Sequence, residues 1–410
     1  MIKNIGMLAL FFAVACFVQA ESSQGPALPQ LLRKALQEHP DIYKAKNGLK
    51  AAQSVADGVR WLKYPKIVAE AQTSGGGNQS VARLEQPIWT GGRTTAREQE
   101  ATANLQAAAH EVALAEMTVT IETGKAYFNV LRLQERLKNA EANLEEHVNL
   151  VAMIERRVAA EVSSAADSVL AQARLQQAQT EKLTTESQLG VALAELGKWV
   201  GEPVFKVTAS QSALVNNEYE ASGFYEKIVQ LNPQNKLLKA QEDSAEARIG
   251  LAKAQMKPSV VFGYQQAWNR QPGTAGNDGR AYLALQYDSG SGLSALSEIE
   301  ASIARKMAIE SERESFLRQL ELQVKTLKNE WMSLTRQFQP AQALVVATEE
   351  VMQSYLRQYQ VGRKNWLDVL NAQRERAQSL QGLVEIKYGI ERAAFVLNVL
   401  SGENMGGAGK

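Results

Sequence analysis

Two long stretches of the chain place apolar or small residues at alternating steps of four and three. The first stretch runs from Val119 to Val158 and the second from Leu320 to Tyr359. A hydrophobic repeat that averages 3.5 residues is typical of coiled-coil helices, whose apolar seam faces a neighbouring helix. We therefore predict two very long helices, over residues 89–160 and 289–359, each on the order of 100 Å long.

Each long helix is followed by a turn and a second, shorter helical pattern. The predicted return helices cover residues 165–200 and 365–401. In the second half Gly362 lies at the turn, Asn365 is a suitable N-cap, and Asp368 places a carboxylate at the positive end of the new helix. The pattern predicts two long helical hairpins with their tips at these turns.

The two halves of the sequence carry the same landmarks at a nearly constant spacing. Asp167, with Ser163 or Ser164 as the cap before it, lies 201 residues before Asp368 (368 − 167). Two prolines also recur 193 residues apart (233 − 40 and 258 − 65), as Pro40, Pro65, Pro233 and Pro258. A structural unit that recurs at a fixed offset indicates an internal duplication.

The chain accordingly divides into five predicted parts. Residues 1–20 are predicted to be a secretory signal, residues 21–200 the first repeat, residues 201–222 a polar linker, residues 223–401 the second repeat, and residues 402–410 a disordered, Gly-rich tail. Export of the protein from the cytoplasm follows from the first of these parts.

The predicted signal has the expected three regions. Lys3 provides the positive charge, an apolar run extends from Met7 to Val18, and Val18-Gln19-Ala20 is a small-residue cleavage site. An N-terminal membrane anchor is one alternative, although the apolar run is short for a membrane span. Lipidation of Cys16, the only cysteine, is another.

After Pro65 and again after Pro258 the hydrophobic period changes to two, which is the signature of a β-strand. The alternating apolar positions are Ile67, Ala69 and Ala71 in the first half, and Val260, Phe262, Tyr264 and Trp268 in the second. We predict strand hairpins over residues 65–88 and 258–288, with turns at Gly75–Asn78 and Asn269–Gly279. Strands of this length, with one apolar and one polar face, suit a membrane barrel. They suit a soluble hairpin packed on a core equally well.

Composition excludes several classes of function. The chain has 410 residues and a formal net charge of +1, and it contains no basic block, which argues against a nucleic-acid partner. Its three histidines are far apart, with no cysteine or carboxylate cluster at ligand spacing, so we expect no metal site and no cofactor. No nucleophile elbow or pair of catalytic acids is present, and we expect no catalytic residues and no enzyme activity.

Each half begins with a helical pattern, over residues 28–62 and 224–256, that is broken at Pro40 or Pro233. Each half therefore has the order helix, strand hairpin, very long helix, turn and return helix. With the segments Gln86–Arg93 and Tyr359–Leu370, this order resembles the TolC family of trimeric outer-membrane efflux and secretion ducts, over nearly the whole mature chain. The resemblance implies a mainly α fold with a small β part. Long coiled-coil hairpins would form a periplasmic tunnel, and four strands per protomer would contribute to a trimeric 12-stranded β-barrel in the cell outer membrane.

The resemblance also implies a gate at the hairpin tips. Asp368 would project into the pore as one of a ring of three carboxylates, and Asn371 stands where the family often has a second acidic residue, which predicts a weaker acidic ring. Tyr359 and Lys364 would form a latch with Asp167 of the first hairpin. Spacing alone also permits a plainer interpretation, in which both aspartates are helix N-terminal carboxylates and Lys364 is a solvated turn residue.

The resemblance implies partners and a cargo as well. The partners would be two further copies of the chain, outer-membrane lipid, a periplasmic adaptor (membrane fusion protein), and an inner-membrane transporter of the ABC type. The tip sequence from Gly362 to Glu375 most resembles the branch that serves type I secretion of adhesins or toxins. The alternative is the outer-membrane component of a tripartite drug-efflux pump. A periplasmic adaptor and a secreted structural coiled coil are more distant alternatives.

Overall fold

The computed structural model describes residues 25–74, 77–209, 219, 221, 223–271, 274–288 and 294–402. The predicted signal at residues 1–20, including Cys16, lies outside the described residues. So does the predicted tail beyond Gly402.

The described part of the chain contains eight α-helices. They are α1 (Leu28–Glu38), α2 (Pro40–Arg60), α3 (Arg93–Ala159), α4 (Ala165–Val200), α5 (Phe224–Leu231), α6 (Pro233–Gln255), α7 (Ser294–Gln360) and α8 (Trp366–Leu400). With 67 residues each, α3 and α7 are about 100 Å long. None of the helices in the described ranges is long and apolar enough to cross a membrane.

Two proline landmarks begin helices because proline fits the first helical position but cannot continue a preceding helix. His39 ends α1 and caps α2, its Nδ1 accepting a hydrogen bond from the Asp41 amide at 3.2 Å. Asn232 has the same role between α5 and α6, where its Oδ1 accepts from the Gln234 amide at 2.9 Å. Each repeat thus begins with a short helix that ends just before the proline at which the next helix starts.

Four strands form one antiparallel sheet in the order β1-β2-β3-β4. They are β1 (Lys66–Ser74), β2 (Gly77–Trp89), β3 (Ser259–Gln271) and β4 (Thr274–Gln286). The long predicted turn at Asn269–Gly279 is wrong, because backbone pairing continues through it to Gln271↔Thr274. Its Asn and Gly content indicated a turn, but hydrogen bonding across the ladder outweighs that preference. Gly77 and Asn78 likewise already belong to β2.

The strand register separates two faces of the sheet. One row crosses all four strands through Ile67, Leu84, Tyr264 and Ala281, and all four side chains are exposed. The adjacent row, on the opposite face, contains Lys66, Glu85, Gly263 and Tyr282. On that second face the Tyr282 hydroxyl donates to Glu85 Oε1 at 3.1 Å. The sheet therefore has one apolar and one polar face, neither covered by a helix.

The main hydrophobic core lies at the middle of the long helices. It combines α1, α3, α4, α5, α7 and α8, and its largest fully buried side chains include Tyr127, Leu196, Ile228, Phe395 and Leu397. The predicted linker contributes to this core, which its polar composition did not indicate. Val204, Val207 and Tyr219 are buried there, and the Tyr219 hydroxyl bonds Asn398 Oδ1 at 2.5 Å.

The predicted coiled-coil seams are the covered faces of α3 and α7. No position of either alternating series is exposed. The seam of α3 is the more deeply buried, because α2, α4, α6 and α8 all pack on that helix, whereas α7 packs mainly on α6 and α8. In α7 the side chains of Leu322, Leu344 and Val346 are exposed. Pro340 lies within α7, and the helix continues through it.

Candidate gate at the hairpin tips

The two hairpin turns have the same backbone structure. In the first, the Val162 amide donates to the Arg157 carbonyl, and in the second the Arg363 amide donates to the Gln358 carbonyl, both at 2.9 Å. This six-to-one bond is the Schellman closure of a helix, which needs a left-handed residue just after the helix end. Gly362 takes that conformation with φ +76°, and Glu161, 201 residues earlier, takes it with φ +57°. A side chain at such a φ is uncommon.

The helix that leaves each turn begins at a capped residue. Ser164 Oγ accepts a hydrogen bond from the Asp167 amide at 3.2 Å, and Asp167 Oδ2 accepts from the Ser164 amide at the same distance. In the second hairpin Asp368 Oδ2 accepts from the Asn365 amide at 3.3 Å. Both aspartates thus accept hydrogen bonds from otherwise unpaired backbone amides at a helix N-terminus, as their spacing predicts.

A small apolar cluster packs the two tips together. Its members come from all four hairpin helices and are Leu150, Val151, Ile154, Ala171, Tyr359, Trp366, Val369 and Leu370. The rings of Tyr359 and Trp366 lie 5.2 Å apart and both are almost fully buried. The first hairpin therefore contacts the second through an aromatic pair anchored at the end of α7 and the start of α8.

A polar contact next to this cluster joins the two turns directly. The Tyr359 hydroxyl and Ser163 Oγ form a hydrogen bond at 3.0 Å. The guanidinium carbon of Arg157 lies 4.7 Å from the centre of the Tyr359 ring, which is a cation–π geometry. Arg157, Ser163 and Tyr359 are here called the tip latch. Two of its three members belong to the first hairpin and the third to the second.

The tip latch differs in part from the predicted one. Tyr359 does meet the first hairpin, but through Ser163. In the described part of the chain no hydrogen bond or ion pair joins Asp167 to Tyr359 or Lys364. Lys364 Nζ instead lies 3.9 Å from Asp368 Oδ2 and 4.1 Å from the centre of the Tyr355 ring. The carboxylate of Asp167 is held by its own helix cap, which explains why it does not reach Tyr359 within one protomer.

Arg157 is the latch residue that the sequence analysis missed. The second repeat has Gln358 at the equivalent position, 201 residues later (358 − 157), so comparison of the repeats does not point to a basic residue there. A positive side chain in the last turn of α3 has an ordinary explanation in the helix dipole. Only the packing of Tyr359 against it reveals a second role.

Asp368 and Asn371 both lie in the first turns of α8 and are partly exposed. Their placement at a pore constriction, and the ring of three carboxylates, stay predictions, because these depend on further copies of the chain.

Long paired helical hairpins, joined to a small sheet with an apolar exposed face, are the architecture of an outer-membrane channel with a periplasmic helical tunnel. The sequence agrees with this class. The chain belongs to the outer membrane efflux protein family, whose model matches residues 31–202 and 224–403. These two matches begin 193 residues apart (224 − 31) and end 201 apart (403 − 202), so they coincide with the two repeats. Membership in this family removes the adaptor and the structural coiled coil as interpretations.

Solved structures show the same fold at low sequence identity. The outer membrane protein VceC of Vibrio cholerae has a TM-score of 0.80 and 18% identity, covering 92% of this chain and 96% of its own. The CmeC outer membrane channel of Campylobacter jejuni has a TM-score of 0.81 and 12% identity, covering 98% and 94%. The open state of the MtrE channel of Neisseria gonorrhoeae gives 0.78 and 17%, covering 93% and 90%.

One curated relative is similar over part of the chain. The pyoverdine export outer membrane protein OpmQ of Pseudomonas aeruginosa is 27% identical over 184 residues, which are 44% of this chain and 38% of that protein. The chain therefore matches well under half the length of this relative.

Proposed function

We propose that the protein is a trimeric duct that carries cargo through the periplasm and the outer membrane. The observation that carries this proposal is the sheet. Strands β1 and β4 each have one edge without a neighbour in the four-stranded sheet, and an exposed strand edge requires a partner or protection. Pairing β4 of each copy with β1 of the next satisfies all six edges of three copies and closes a 12-stranded barrel.

The side chains support the orientation of that barrel. The apolar face, including Ile67, Tyr264 and Leu283, would face lipid, and the polar face with Arg83 and Glu85 would line a wet interior. The long hairpins would then extend away from the barrel into the periplasm. Their tips, with the latch and the exposed Val361 and Leu367, would face the inner membrane.

The partners proposed for the tips are a periplasmic adaptor and an inner-membrane transporter. A duct without an energy source of its own needs a transporter to drive export. We propose that this transporter is a separate protein of the inner membrane. A transporter of the ABC type is proposed for type I secretion, the first of the two cargo candidates below.

Two classes of cargo are candidates. Type I secretion of a large protein is favoured by the second tip, from Gly362 to Glu375, whose sequence resembles that branch of the family. Small-molecule efflux is favoured by the relative whose name gives pyoverdine export. Specificity in either case would belong mainly to the transporter that the tips engage.

The duct is tested by membrane fractionation followed by light scattering of the detergent-extracted protein. We expect the protein in the outer-membrane fraction, with a mass of roughly three times 45 kDa less the signal, and conductance steps when it is inserted into planar bilayers. A water-soluble monomer without channel activity contradicts the proposal, because the two sheet edges would then have no partner.

The cargo is tested separately, in cells that lack the protein and in cells complemented with it. Loss of one large secreted protein from the medium, with unchanged susceptibility to toxic small molecules, supports type I secretion. Increased susceptibility with an unchanged set of secreted proteins supports efflux. A duct with its tip replaced, from Gly362 to Glu375, by the sequence of an efflux relative is the matched control.

A further inference from the structure

A polar groove lies between the two hairpins, part of the way from the main core to the tips. Its volume is about 550 Å³ and it is bounded by α3, α4 and α8. Arg136 and His147 of α3, Arg174 and Glu181 of α4, and Arg374 and Gln381 of α8 are among the residues that line it. The groove is thus shared by both repeats, since α3 and α4 belong to the first and α8 to the second.

The charges that line the groove are not balanced. Glu181 accepts a hydrogen bond from Gln381, and Arg136 has Glu385 as a carboxylate neighbour at 3.3 Å. Arg174 donates only to the neutral Gln177, at 2.9 Å. In the part of the chain that the structure describes, neither Arg174 nor Arg374 forms an ion pair. The lining residues therefore include three guanidinium groups and one carboxylate, that of Glu181, which leaves an excess of positive charge.

His147 is the buried end of this groove. The side chain is only 7% exposed, and its Nδ1 atom has no hydrogen-bond partner. Buried polar atoms nearly always have a partner, either in the protein or in a bound species. Burial, together with the positive charge of Arg174, lowers the pKa of His147. The imidazole is therefore neutral at pH 7, and an N–H on Nδ1 has no acceptor within the described part of the protein.

We propose that this groove binds a small oxyanion, a phosphate-like or carboxylate group, held by Arg174 and Arg374 with His147 Nδ1–H as a further donor. Guanidinium groups bind such oxygens through two parallel hydrogen bonds, and both source chemistries present the same paired oxygens. The bound anion joins α4 of the first repeat to α8 of the second.

A bound water satisfies His147 but not the charge. Water in a polar cavity provides two to four hydrogen bonds, which is enough for Nδ1. It adds no negative charge beside Arg174 and Arg374, whereas an oxyanion both accepts hydrogen bonds and offsets the excess positive charge. All three helices that bound the groove come from one copy of the chain.

The experiment is a titration of the full-length mature protein in detergent, observed by NMR with isotope-labelled histidine. The chain has only three histidines, His39, His110 and His147. Each imidazole signal is assigned by its loss when that histidine is substituted. Sodium sulfate is titrated against sodium chloride at matched ionic strength, and sodium citrate is titrated in the same way. Sulfate represents the inorganic oxyanions, and citrate represents the carboxylates.

We expect a saturable shift of the His147 signal with sulfate or citrate and a higher pKa for that imidazole, because an adjacent anion favours its protonated form. Arg174→Gln and Arg374→Gln should each weaken the apparent affinity roughly tenfold or more, since each removes a charge-assisted pair of hydrogen bonds. Arg336→Gln, an exposed arginine of α7 outside the groove, should leave it unchanged.

The relative strength of the two probes identifies the source. Tighter binding of sulfate indicates a phosphate-like ligand, and tighter binding of citrate indicates a carboxylate. The proposal is overturned if neither anion shifts His147 more than chloride does. Equal shifts of His39, His110 and His147, or unchanged affinity in both arginine variants, also overturn it, because the effect would then be general screening.

Discussion

Tyr359 is the residue that joins the two hairpin tips by direct contacts. It is 6% exposed, its ring packs against that of Trp366 at an angle of 46°, and its hydroxyl bonds Ser163 across the gap between the hairpins. Arg157 covers the outer part of the same ring. The contacts that close the tip are therefore specific to single side chains, and single substitutions should loosen it without disturbing the helices.

The first prediction concerns that latch. Tyr359→Phe removes the hydrogen bond to Ser163, and Arg157→Gln removes the cation–π contact; each is worth about 1 kcal/mol. We expect the double variant to raise the open probability of single channels in planar bilayers by roughly tenfold or more. Arg156→Gln changes the adjacent exposed arginine and should have no such effect. Identical currents for all three proteins contradict the gate.

The second residue-scale prediction concerns Gly124 in the main core. A Cβ added there meets Phe395 Cε1 at 1.9 Å, and Phe395 is 1% exposed. Gly124→Ala should lower the free energy of unfolding by about 1–3 kcal/mol, as overpacking does. Gly190→Ala is the control, since nothing lies within 4 Å of its added Cβ. It should stabilise α4 slightly, and thermal unfolding in detergent measures both.

At the scale of elements, the first prediction compares the same substitution on the two faces of the sheet. Leu283 is 70% exposed on the apolar face, and its neighbour Ala284 points to the opposite side. Leu283→Lys should cost about 2–4 kcal/mol near the bilayer centre, whereas Ala284→Lys should be tolerated in a wet interior. The yield of folded protein in the outer membrane measures the difference. Equal yields contradict the assignment of the faces.

A second prediction at this scale concerns the joint between α3 and α8. Burial disfavours the charged form of Glu135, but hydrogen bonds from Lys387 and Tyr388 outweigh burial and lower its pKa. Because the folded-state pKa is lowered, this contribution to stability is present above the ordinary value of 4.5 and is lost as pH falls through the folded value.

Thermal unfolding between pH 7 and pH 3 tests this joint. The wild-type midpoint should fall on acidification, and Glu135→Gln should remove part of that dependence because it no longer has a proton to gain. Glu141→Gln changes an exposed carboxylate two turns further along α3 and serves as the control. A Glu135→Gln protein with the full wild-type pH dependence contradicts the role of this carboxylate.

The elements themselves were largely predictable, for a physical reason. A seam of period 3.5 and a proline at a helix start are local signals, so the long helices and the breaks before Pro40 and Pro233 follow from the sequence. The turn at Asn269–Gly279 was mispredicted because strand pairing is not local. Tyr219 and Arg157 were missed for the same reason, since their partners lie 179 residues (398 − 219) and 202 residues (359 − 157) away in the chain.

At the scale of the whole molecule, one copy of the chain is visibly incomplete. Its sheet has two unpaired edges, and α7 exposes the apolar side chains of Leu322, Leu344 and Val346. Exposed apolar residues that recur along one element indicate a surface for another protein or for lipid. A closed ring of identical copies covers both features with a single type of interface.

The last prediction tests how that ring closes. The chain has one cysteine, Cys16; in a Cys16→Ala background, Ala69→Cys on β1 is combined in turn with Ala281→Cys, Leu283→Cys or Leu285→Cys on β4. All four positions lie on the apolar face of the sheet. One of the three β4 positions should therefore lie opposite Ala69 where two copies meet. Adjacent strands bring Cβ atoms within disulfide range, and oxidation should then yield covalent dimers and trimers.

Ala284→Cys with Ala69→Cys should not cross-link, because the two side chains point to opposite faces. A protein that is trimeric by light scattering but cross-links in none of these pairs would show that the copies associate through the helices, with the strand edges unpaired.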